Sequence, residues 1–395
     1  MMAAPSARAA EPPASTALSE IETALAQDGS RTETSTTEPR GTPGAQSLNP
    51  DLSLIAGFAL AAFSDEEHHQ TGGHDPTENG FNLQQLELSM GAAVDPFFRF
   101  DANIVFGLEE VEVEEAYATT LDLGARLQAR AGQFLTRFGR LNASHPHNWS
   151  FVDQPFWLGK VLGPEGNRGL GLELSYLTPL PWYVELVLSA TTAAGEGARS
   201  FYGENDLGVE GPEHLLYVAA LKQFVPLSMD WSFAFGVSGA FGPNGSSSDK
   251  RSEIYGADAY LKYRPLIDQS RTEVTLQAEW LYRRRELADD VLRDAGGYFQ
   301  LVARFARRYA IGARYEVGTP SYGNDGSVVE DPLDPEWASV RSRGTLAFTF
   351  FASEFSRFRL QGSRDAGLSD TKSSEIWAAF LAAEFITGAH GAHAF

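Results

Sequence analysis

The chain has 395 residues, no cysteine and a formal net charge of −21 at pH 7. Without cysteine it has no disulfide scaffold, thiolate metal site or cysteine nucleophile. The acidic balance argues against nucleic-acid binding, because no basic face is available to neutralise phosphates. No apolar run reaches the roughly 18 residues that a transmembrane helix requires.

Residues 1–48 are rich in Ala, Pro, Ser, Thr and Glu. This composition predicts a disordered leader or the remnant of a signal sequence. Residues 1–10 contain the small side chains typical of a cleavage region, but no apolar core precedes them. A disordered cytosolic tail is the alternative interpretation.

After the leader, apolar residues fall at every second position, which is the period of a β-strand. Phe98, Phe100 and Ala102 face one way, whereas Arg99 and Asp101 face the other. The apolar band is about ten residues long on strand after strand, the length that crosses a membrane at a tilt. The pattern predicts sixteen strands, at 52–63, 81–93, 96–107, 111–121, 124–135, 169–178, 181–192, 214–225, 229–241, 253–265, 270–284, 296–306, 308–318, 338–351, 355–365 and 374–388.

The connections between these strands alternate between long and short. The predicted long ones are 64–80, 136–168, 193–213, 242–252, 285–295, 319–337 and 366–373, with the brief 108–110 as the exception. Outer-membrane barrels have short periplasmic turns and longer external loops. We therefore predict that residues 49–395 form an all-β, transmembrane, antiparallel up-and-down β-barrel of about 16 strands, with both termini in the periplasm. Fourteen or eighteen strands are the alternatives if one hairpin has been split or missed.

The connection 136–168 is the third external loop and the most distinctive segment. Its aromatic residues, such as Trp149 and Phe151, would pin it to the inner wall, and its prolines would limit its motion. We expect it to fold into the lumen and narrow the pore; a folded external cap is the alternative. The candidate constriction residues are Arg137, Arg140, His145, His147, Asp153, Lys160 and Arg168.

Charged residues at inward positions of the strands predict a polar lumen. The candidate lumen wall consists of Arg99, Asp101, Glu112, Glu114, Arg126, Arg130, Arg314, Arg341, Arg343, Arg357 and Arg359. Opposed basic and acidic walls would create a transverse field that selects dipolar solutes. The alternative is that neighbouring opposite charges pair across strands.

Histidines provide candidate metal ligands in the first external loop. His68, His69 and His74 lie among acidic residues there, and imidazole with carboxylate suits Zn²⁺ or Ni²⁺. A solvated acidic loop is the alternative, and Ca²⁺ could bind the same acidic surface. For His145 and His147 we favour hydrogen bonding over zinc, because alternate residues of an extended segment point in opposite directions.

Phe395 ends the chain directly after the last predicted strand. A terminal aromatic residue is the usual mark by which the barrel-assembly machinery recognises its clients. We therefore expect this machinery as a partner. Outer-membrane lipids and lipopolysaccharide would be further partners, the latter bridged by divalent cations to the acidic external loops.

Three stretches carry a family resemblance: GFNLQQLELSMGAAVDPFFRFDANIVF, VEVEEAYATTL and ARAGQFLTRFGRLNASHPHNWSFVDQPF. Across roughly residues 50–395 the chain resembles proteobacterial proteins known as zinc-regulated TonB-dependent outer-membrane receptors, and distantly the phosphate-selective porin O and P family. The resemblance implies a barrel, an outer-membrane address and passive or receptor-type uptake. The chain lacks the residues for a plug domain and about twenty-two strands, so a true TonB-dependent receptor is not expected.

The predicted function is a porin or channel for passive diffusion of small hydrophilic solutes or ions, without cofactor and without enzymatic activity. The alternative is a receptor-like barrel that binds a metal or metal complex at its external loops. Large porins are often trimers, so a homotrimer is one expectation.

Overall fold

The structure is a computed structural model that describes residues 50–65, 70–108, 110–205, 208–247, 249–266, 272–335, 337–367 and 375–388. The described residues belong to one compact unit, Asn49–Phe395. The predicted leader 1–48, His68, His69 and Phe395 lie outside the described residues, so their predicted roles stay predictions.

Within the residues that the structure describes, sixteen strands and one α-helix make up the regular structure. The strands are β1 Asp51–Phe63, β2 Gly80–Ala93, β3 Phe98–Phe106, β4 Val111–Thr120, β5 Leu127–Leu135, β6 Arg168–Leu177, β7 Tyr183–Thr192, β8 Leu215–Pro226, β9 Trp231–Pro243, β10 Arg251–Tyr263, β11 Glu273–Glu286, β12 Val291–Phe305, β13 Tyr309–Gly318, β14 Arg341–Phe351, β15 Ser356–Ala366 and β16 Glu375–Gly388. Helix α1 is Phe156–Leu162, and 3₁₀ turns occur at Pro146–Asn148, Glu196–Ala198 and Pro212–His214.

Each strand pairs antiparallel with its neighbours in sequence, and β1 closes the sheet by pairing with β16. The predicted all-β, sixteen-stranded up-and-down barrel is confirmed. β1 begins and β16 ends at the same end of the barrel, which also carries the brief turns between β2 and β3 and between β14 and β15. We call this the short-turn end; the opposite end is the long-loop end.

Buried and exposed side chains alternate along the strands. In β14, Arg343 and Thr345 are buried, whereas Leu346 and Phe348 on the other face are exposed. An apolar exterior around a polar interior is the arrangement of a barrel that faces lipid. No helix in the described part of the chain is both long and apolar enough to span a membrane.

A β-bulge interrupts the pairing of β3 with β4. Asn103 pairs with Glu115 and Ile104 pairs with Val113, which leaves Glu114 as the extra residue. A bulge breaks the alternation, so consecutive side chains can point to the same face. Glu114 and Glu115 are accordingly both buried inside the barrel.

Several predicted boundaries are wrong. The connection expected at 285–295 is shorter, because β11 continues to Glu286 and β12 begins at Val291. The strand expected from 124 begins at Leu127, because Ala125 and Arg126 adopt positive φ in a turn. Arg126 is therefore exposed in this turn, where it donates to the Thr178 carbonyl at 3.3 Å, and does not lie on the lumen wall.

Candidate functional site: the inward loop and its charged walls

The connection between β5 and β6, residues 136–167, crosses the interior of the barrel; we call it the inward loop. Its two ends are tied together by side chains. Thr136 Oγ1 donates to Asn167 Oδ1 at 2.7 Å, and Asn142 Nδ2 donates to the Thr136 carbonyl at 2.8 Å. Residues 151–163 are buried without interruption, so the loop is packed from all sides.

The first part of the loop reaches the opposite wall at β11. Glu279 accepts hydrogen bonds from the backbone N–H groups of Arg140 and Leu141, at 2.9 and 2.8 Å. Phe138 packs beside Gly256 of β10, where an added Cβ would lie 2.8 Å from the ring. A wall without a side chain at this position lets the loop approach the sheet closely.

Helix α1 is the apolar anchor of the loop. All seven of its residues are buried, and Trp157 lies against Gly296 and Gly318 of β12 and β13. Lys160 donates to Asp294 of β12 at 3.0 Å. Burial lowers the pKa of Lys160 even though Asp294 opposes that change.

The middle of the loop meets a basic wall on β13 to β15. Asp153 accepts hydrogen bonds from Arg314 at 2.7 Å, Arg343 at 3.0 Å and Gln361 at 2.6 Å. Burial would raise the pKa of Asp153, but the two guanidinium groups outweigh it and hold the pKa below its ordinary value.

Backbone carbonyls of the loop also bind this basic wall. Arg357 donates to the His147 carbonyl at 2.7 Å, and Arg359 donates to the Phe151 carbonyl at 2.6 Å. Both arginines additionally pair with Glu384 of β16. Since Arg357 is the second residue of β15, the loop extends from the long-loop end almost to the short-turn end.

On the other side, the loop histidines meet an acidic wall on β2 and β4. His145 Nε2 lies 2.8 Å from Glu115 Oε2, and His147 Nδ1 lies 3.2 Å from Glu87 Oε2. Burial would lower the pKa of His145, but the surrounding carboxylates outweigh it and raise the pKa well above its ordinary value. The loop therefore presents histidines to the acidic wall and Asp153 to the basic wall.

The first long loop covers the inward loop at the long-loop end. Gly73 N donates to the Pro164 carbonyl at 3.0 Å, and Gln154 N donates to Asp75 at 2.8 Å. Burial, with the nearby Asp153 carboxylate, raises the pKa of Asp75 to about 7. His74 Nε2 lies 3.0 Å from both Glu114 and Glu165.

The remaining basic residues of the predicted constriction also have partners. Arg137 pairs with Glu173 and Glu185, Arg140 stacks on the Tyr260 ring at 3.7 Å, and Arg168 at the start of β6 pairs with Glu112. On the predicted lumen wall, Arg99 pairs with Asp101 and Arg130 with Glu173, while Arg341 pairs with Asp365. The structure thus brings most of the predicted site residues into one network inside the barrel.

Charged side chains differ in exposure between the two sides of the lumen. On the basic wall, Arg314 and Arg343 have side-chain exposures of 1% and 2%. Near β7, β8 and β11, Arg137, Lys222 and Glu273 reach 26%, 21% and 30%. These charged side chains of the β7–β11 side are thus more exposed than those of the basic wall, which the inward loop covers.

Several residues of this network are not among those predicted from the sequence: Glu87, Glu115, Glu165, Asp294 and Glu279. Glu87 could have been found, because Gln85, Glu87 and Ser89 alternate with apolar residues along β2. Glu115 could not have been found, because strict alternation along β4 places it on the lipid side. The alternation of apolar and polar residues does not show the bulge.

Comparison with known proteins places this architecture among outer-membrane barrels. DcaP, an outer membrane channel of Acinetobacter baumannii, is similar with a TM-score of 0.58 and 11% identity, over 88% of this chain and 99% of that chain. An anion-selective porin from Comamonas acidovorans gives a TM-score of 0.55 with 9% identity, over 86% and 99%. A trimer form of OmpT of Vibrio cholerae gives 0.52 with 10% identity, over 86% and 99%. At such identities the likeness is one of fold alone.

No protein-family model matches the chain. None of the proteins named here is described as a zinc-regulated receptor or a phosphate-selective porin, so those finer resemblances stay predictions. An uncharacterized protein of Aquifex aeolicus (strain VF5) is 33% identical over 388 residues, which cover 88% of this chain and 80% of that protein. The chain therefore belongs to the same family as this Aquifex aeolicus protein.

Proposed function

We propose that the protein is a porin of a Gram-negative outer membrane, through which small hydrophilic solutes or ions diffuse passively. The observation that carries the proposal is a closed sixteen-stranded barrel with an apolar exterior, a charged interior and a loop folded across that interior. Diffusion needs no cofactor and no catalytic group. The channel and porin descriptions of the similar folds support the same function.

The passage in this proposal runs beside β7 to β11. Its lining carries charges of both signs, in the pairs Arg137–Glu185, Lys222–Asp258 and Lys262–Glu273. The inward loop forms the other side, so Arg137 and Arg140 border the constriction. Asp153 and Lys160 hold the loop in place without contacting the solute, because both are buried in ion pairs.

The assembly partners belong to the same proposal. Lipid would surround the exposed apolar strands, and lipopolysaccharide would lie beside the external loops. The barrel-assembly machinery would insert the chain. A homotrimer is supported by the trimer form of the similar OmpT fold.

A cysteine-block experiment tests the passage, since the natural chain contains no cysteine. The refolded Lys222→Cys variant is inserted in a planar bilayer and treated with a positively charged methanethiosulfonate reagent. We expect stable openings whose conductance falls on modification, because the added group narrows the passage. Ser353→Cys, in an exposed turn, is the control and should be modified without any loss of current.

Two results would contradict the proposal. A folded barrel, recognised by its heat-dependent gel mobility, that never conducts would exclude a channel. Unchanged current after complete modification of Lys222→Cys would show that the passage does not run beside this residue. The first result would favour a second function, a receptor-like barrel that binds a metal or metal complex. The continuous burial of residues 151–163 is the observation behind that alternative.

A further inference from the structure

Three ligand-type atoms converge where the inward loop meets the acidic wall. Glu87, Glu114 and His145 each offer one ligand-type atom, and these three atoms lie within 4.8 Å of one another. Nδ1 is 3.2 Å from the Glu114 oxygen and 3.9 Å from the Glu87 oxygen. Two ligands bound about 2.1 Å from a tetrahedral zinc ion stand about 3.4 Å apart, so this spacing suits a shared ion.

The same three atoms are buried without a hydrogen-bond partner among the described residues. The contact between His145 Nδ1 and Glu114 Oε2 is an ion pair that lacks hydrogen-bond geometry. The Glu87 and Glu114 side chains are only 1% and 6% exposed. Buried polar atoms in folded proteins nearly always have a partner. Three buried ligand-type atoms that contact one another without a well-formed hydrogen bond therefore favour a shared ligand.

The other oxygen of each carboxylate is held by a histidine. His147 Nδ1 lies 3.2 Å from Glu87 Oε2, and His74 Nε2 lies 3.0 Å from Glu114 Oε1. These contacts hold one oxygen of each carboxyl group, while the other oxygens, Glu87 Oε1 and Glu114 Oε2, lie near His145 Nδ1. A carboxylate that binds a metal is commonly hydrogen-bonded in this way through its second oxygen.

The imidazole of His145 is oriented by a carboxylate as well. Its Nε2 lies 2.8 Å from Glu115 Oε2, which also accepts from Asn103 Nδ2 at 3.1 Å. A metal ion bound at Nδ1 would take the place of the proton on that nitrogen, while Nε2 keeps its proton for Glu115 Oε2. A carboxylate behind the ring is the usual partner of a metal-binding histidine.

The chemistry of the three ligands selects the class of ion. One neutral imidazole and two carboxylates carry a charge of −2, which a divalent cation neutralises. Imidazole favours zinc and other transition metals over calcium or magnesium. A cavity of about 20 Å³ borders Glu114 and His145. This volume holds about one water molecule, which would complete a four-coordinate site.

We propose that Glu87, Glu114 and His145 bind one divalent transition-metal ion, for which Zn²⁺ is the best match. The ion would fasten the inward loop to β2 and β4. This inference goes beyond the diffusion channel, because binding at the site does not require the barrel to conduct. It also differs from the predicted site in the first external loop, since none of the three residues belongs to that loop.

A neighbouring group provides the control. His74 Nε2 lies 3.0 Å from Glu114 Oε1 and 3.0 Å from Glu165 Oε2. This group also offers three ligand-type atoms, but its imidazole nitrogen is already hydrogen-bonded to Glu114 Oε1 and ion-paired with Glu165 Oε2. Glu165→Gln changes the charge near the proposed site without removing one of its ligands.

The test is a titration of the refolded, metal-free full chain in detergent with Zn²⁺, in competition with a chromophoric chelator. We expect one Zn²⁺ per chain. His145→Gln should weaken binding by more than about tenfold, the lower bound for disturbing such a site. Glu165→Gln should change the affinity by less than about threefold. Heat-dependent gel mobility verifies the fold of each variant.

If the His145→Gln variant does not fold, the Glu115→Gln variant is tested in its place. This variant keeps the three proposed ligands and removes only the carboxylate that contacts His145 Nε2. It should weaken binding about tenfold. Zinc-edge X-ray absorption of the loaded wild type should show imidazole and oxygen ligands. Wild-type affinity in His145→Gln, or an equal loss in Glu165→Gln, would overturn the assignment. None of these measurements depends on conductance, so the channel proposal is tested separately.

Discussion

Asp153 is the residue through which the inward loop is held on the basic wall. Its carboxylate contacts Arg314 and Arg343, and both guanidinium groups are inside the barrel with almost no exposure. Removing one partner of a buried ion pair leaves an uncompensated charge, which costs more than the pair itself contributes. The stability of the loop should therefore depend strongly on this one side chain.

We predict that Asp153→Asn lowers the free energy of unfolding by roughly 2 to 3 kcal/mol. The expected loss is at or below the low end of the usual cost of breaking a buried ion pair. The reason is that Arg314 still pairs with Glu316, and Arg343 still pairs with Asp365. Urea unfolding in lipid vesicles, followed by tryptophan fluorescence, measures the change. Arg364→Gln, which breaks an exposed pair with Glu375, is the control and should change stability little. Equal effects of the two variants would contradict the anchoring role.

The sequence pattern predicts which charged residues lie inside the barrel better than it predicts which residues they pair with. The charges at alternate positions of β13 to β15 predicted a basic wall, and these arginines are inside the barrel. The predicted transverse field requires charges without a partner. Asp153, Asp365 and Glu384, however, neutralise much of the basic wall. The partners come from distant parts of the chain, and no local pattern encodes which charge meets which.

Helix α1 lies against the barrel because two glycines leave room for the Trp157 ring. At Gly318 an added Cβ would overlap the ring, whereas at Gly344 on the next strand it would meet nothing within 4 Å. The two positions differ in the face they occupy, since Gly344 points outward. They form a matched pair for testing how tightly the loop is packed.

We predict that Gly318→Ala destabilises the barrel by about 1 to 3 kcal/mol, the usual cost of overpacking. Gly344→Ala should have little effect. The measurement is the same urea unfolding, together with limited proteolysis of the loop in vesicles. Faster cleavage in Gly318→Ala alone is the expected result; unchanged stability in both variants would show that α1 is not tightly packed against β13.

Elements were predicted well wherever alternation extends over a full strand. β12 is the exception, since the sequence pattern predicts a loop for its first residues Val291–Ala295, which include Arg293 and Asp294. The inward Asp294 is stabilised by Lys160 of α1 and Arg283 of β11, which a strand pattern cannot reveal. The bulge at Glu114 could not be predicted for a similar reason, because it depends on the pairing register between β3 and β4.

The whole molecule carries a net charge of −21, but the proposed passage is lined by paired charges of both signs. Ion selectivity depends on charges near the passage, because fields from more distant exposed residues are screened within about 10 Å at 0.1 M salt. The sign of the net charge is therefore a poor guide to the selectivity of the channel.

We predict a small reversal potential for the wild type under a tenfold KCl gradient. Lys262→Gln should shift it toward cation preference, because Glu273 then lacks its basic partner beside the passage. Asp325→Asn, in an exposed part of the loop between β13 and β14, is the control and should leave the potential unchanged. Strong cation selectivity in the wild type would instead indicate that the acidic external loops determine the ion selectivity.

The inward loop leaves the sheet after β5, yet its partners on the basic wall belong to β13, β14 and β15. The hydrogen bond from Arg359 to Phe151 joins residues 208 positions apart. During biogenesis the loop is thus made long before the strands that receive it. A chain arrested before β13 would leave Asp153 and the Trp149 and Phe151 carbonyls without these partners. These contacts can form only once β13 to β15 are in place, so we expect the loop's protection from proteases to report completion of the barrel.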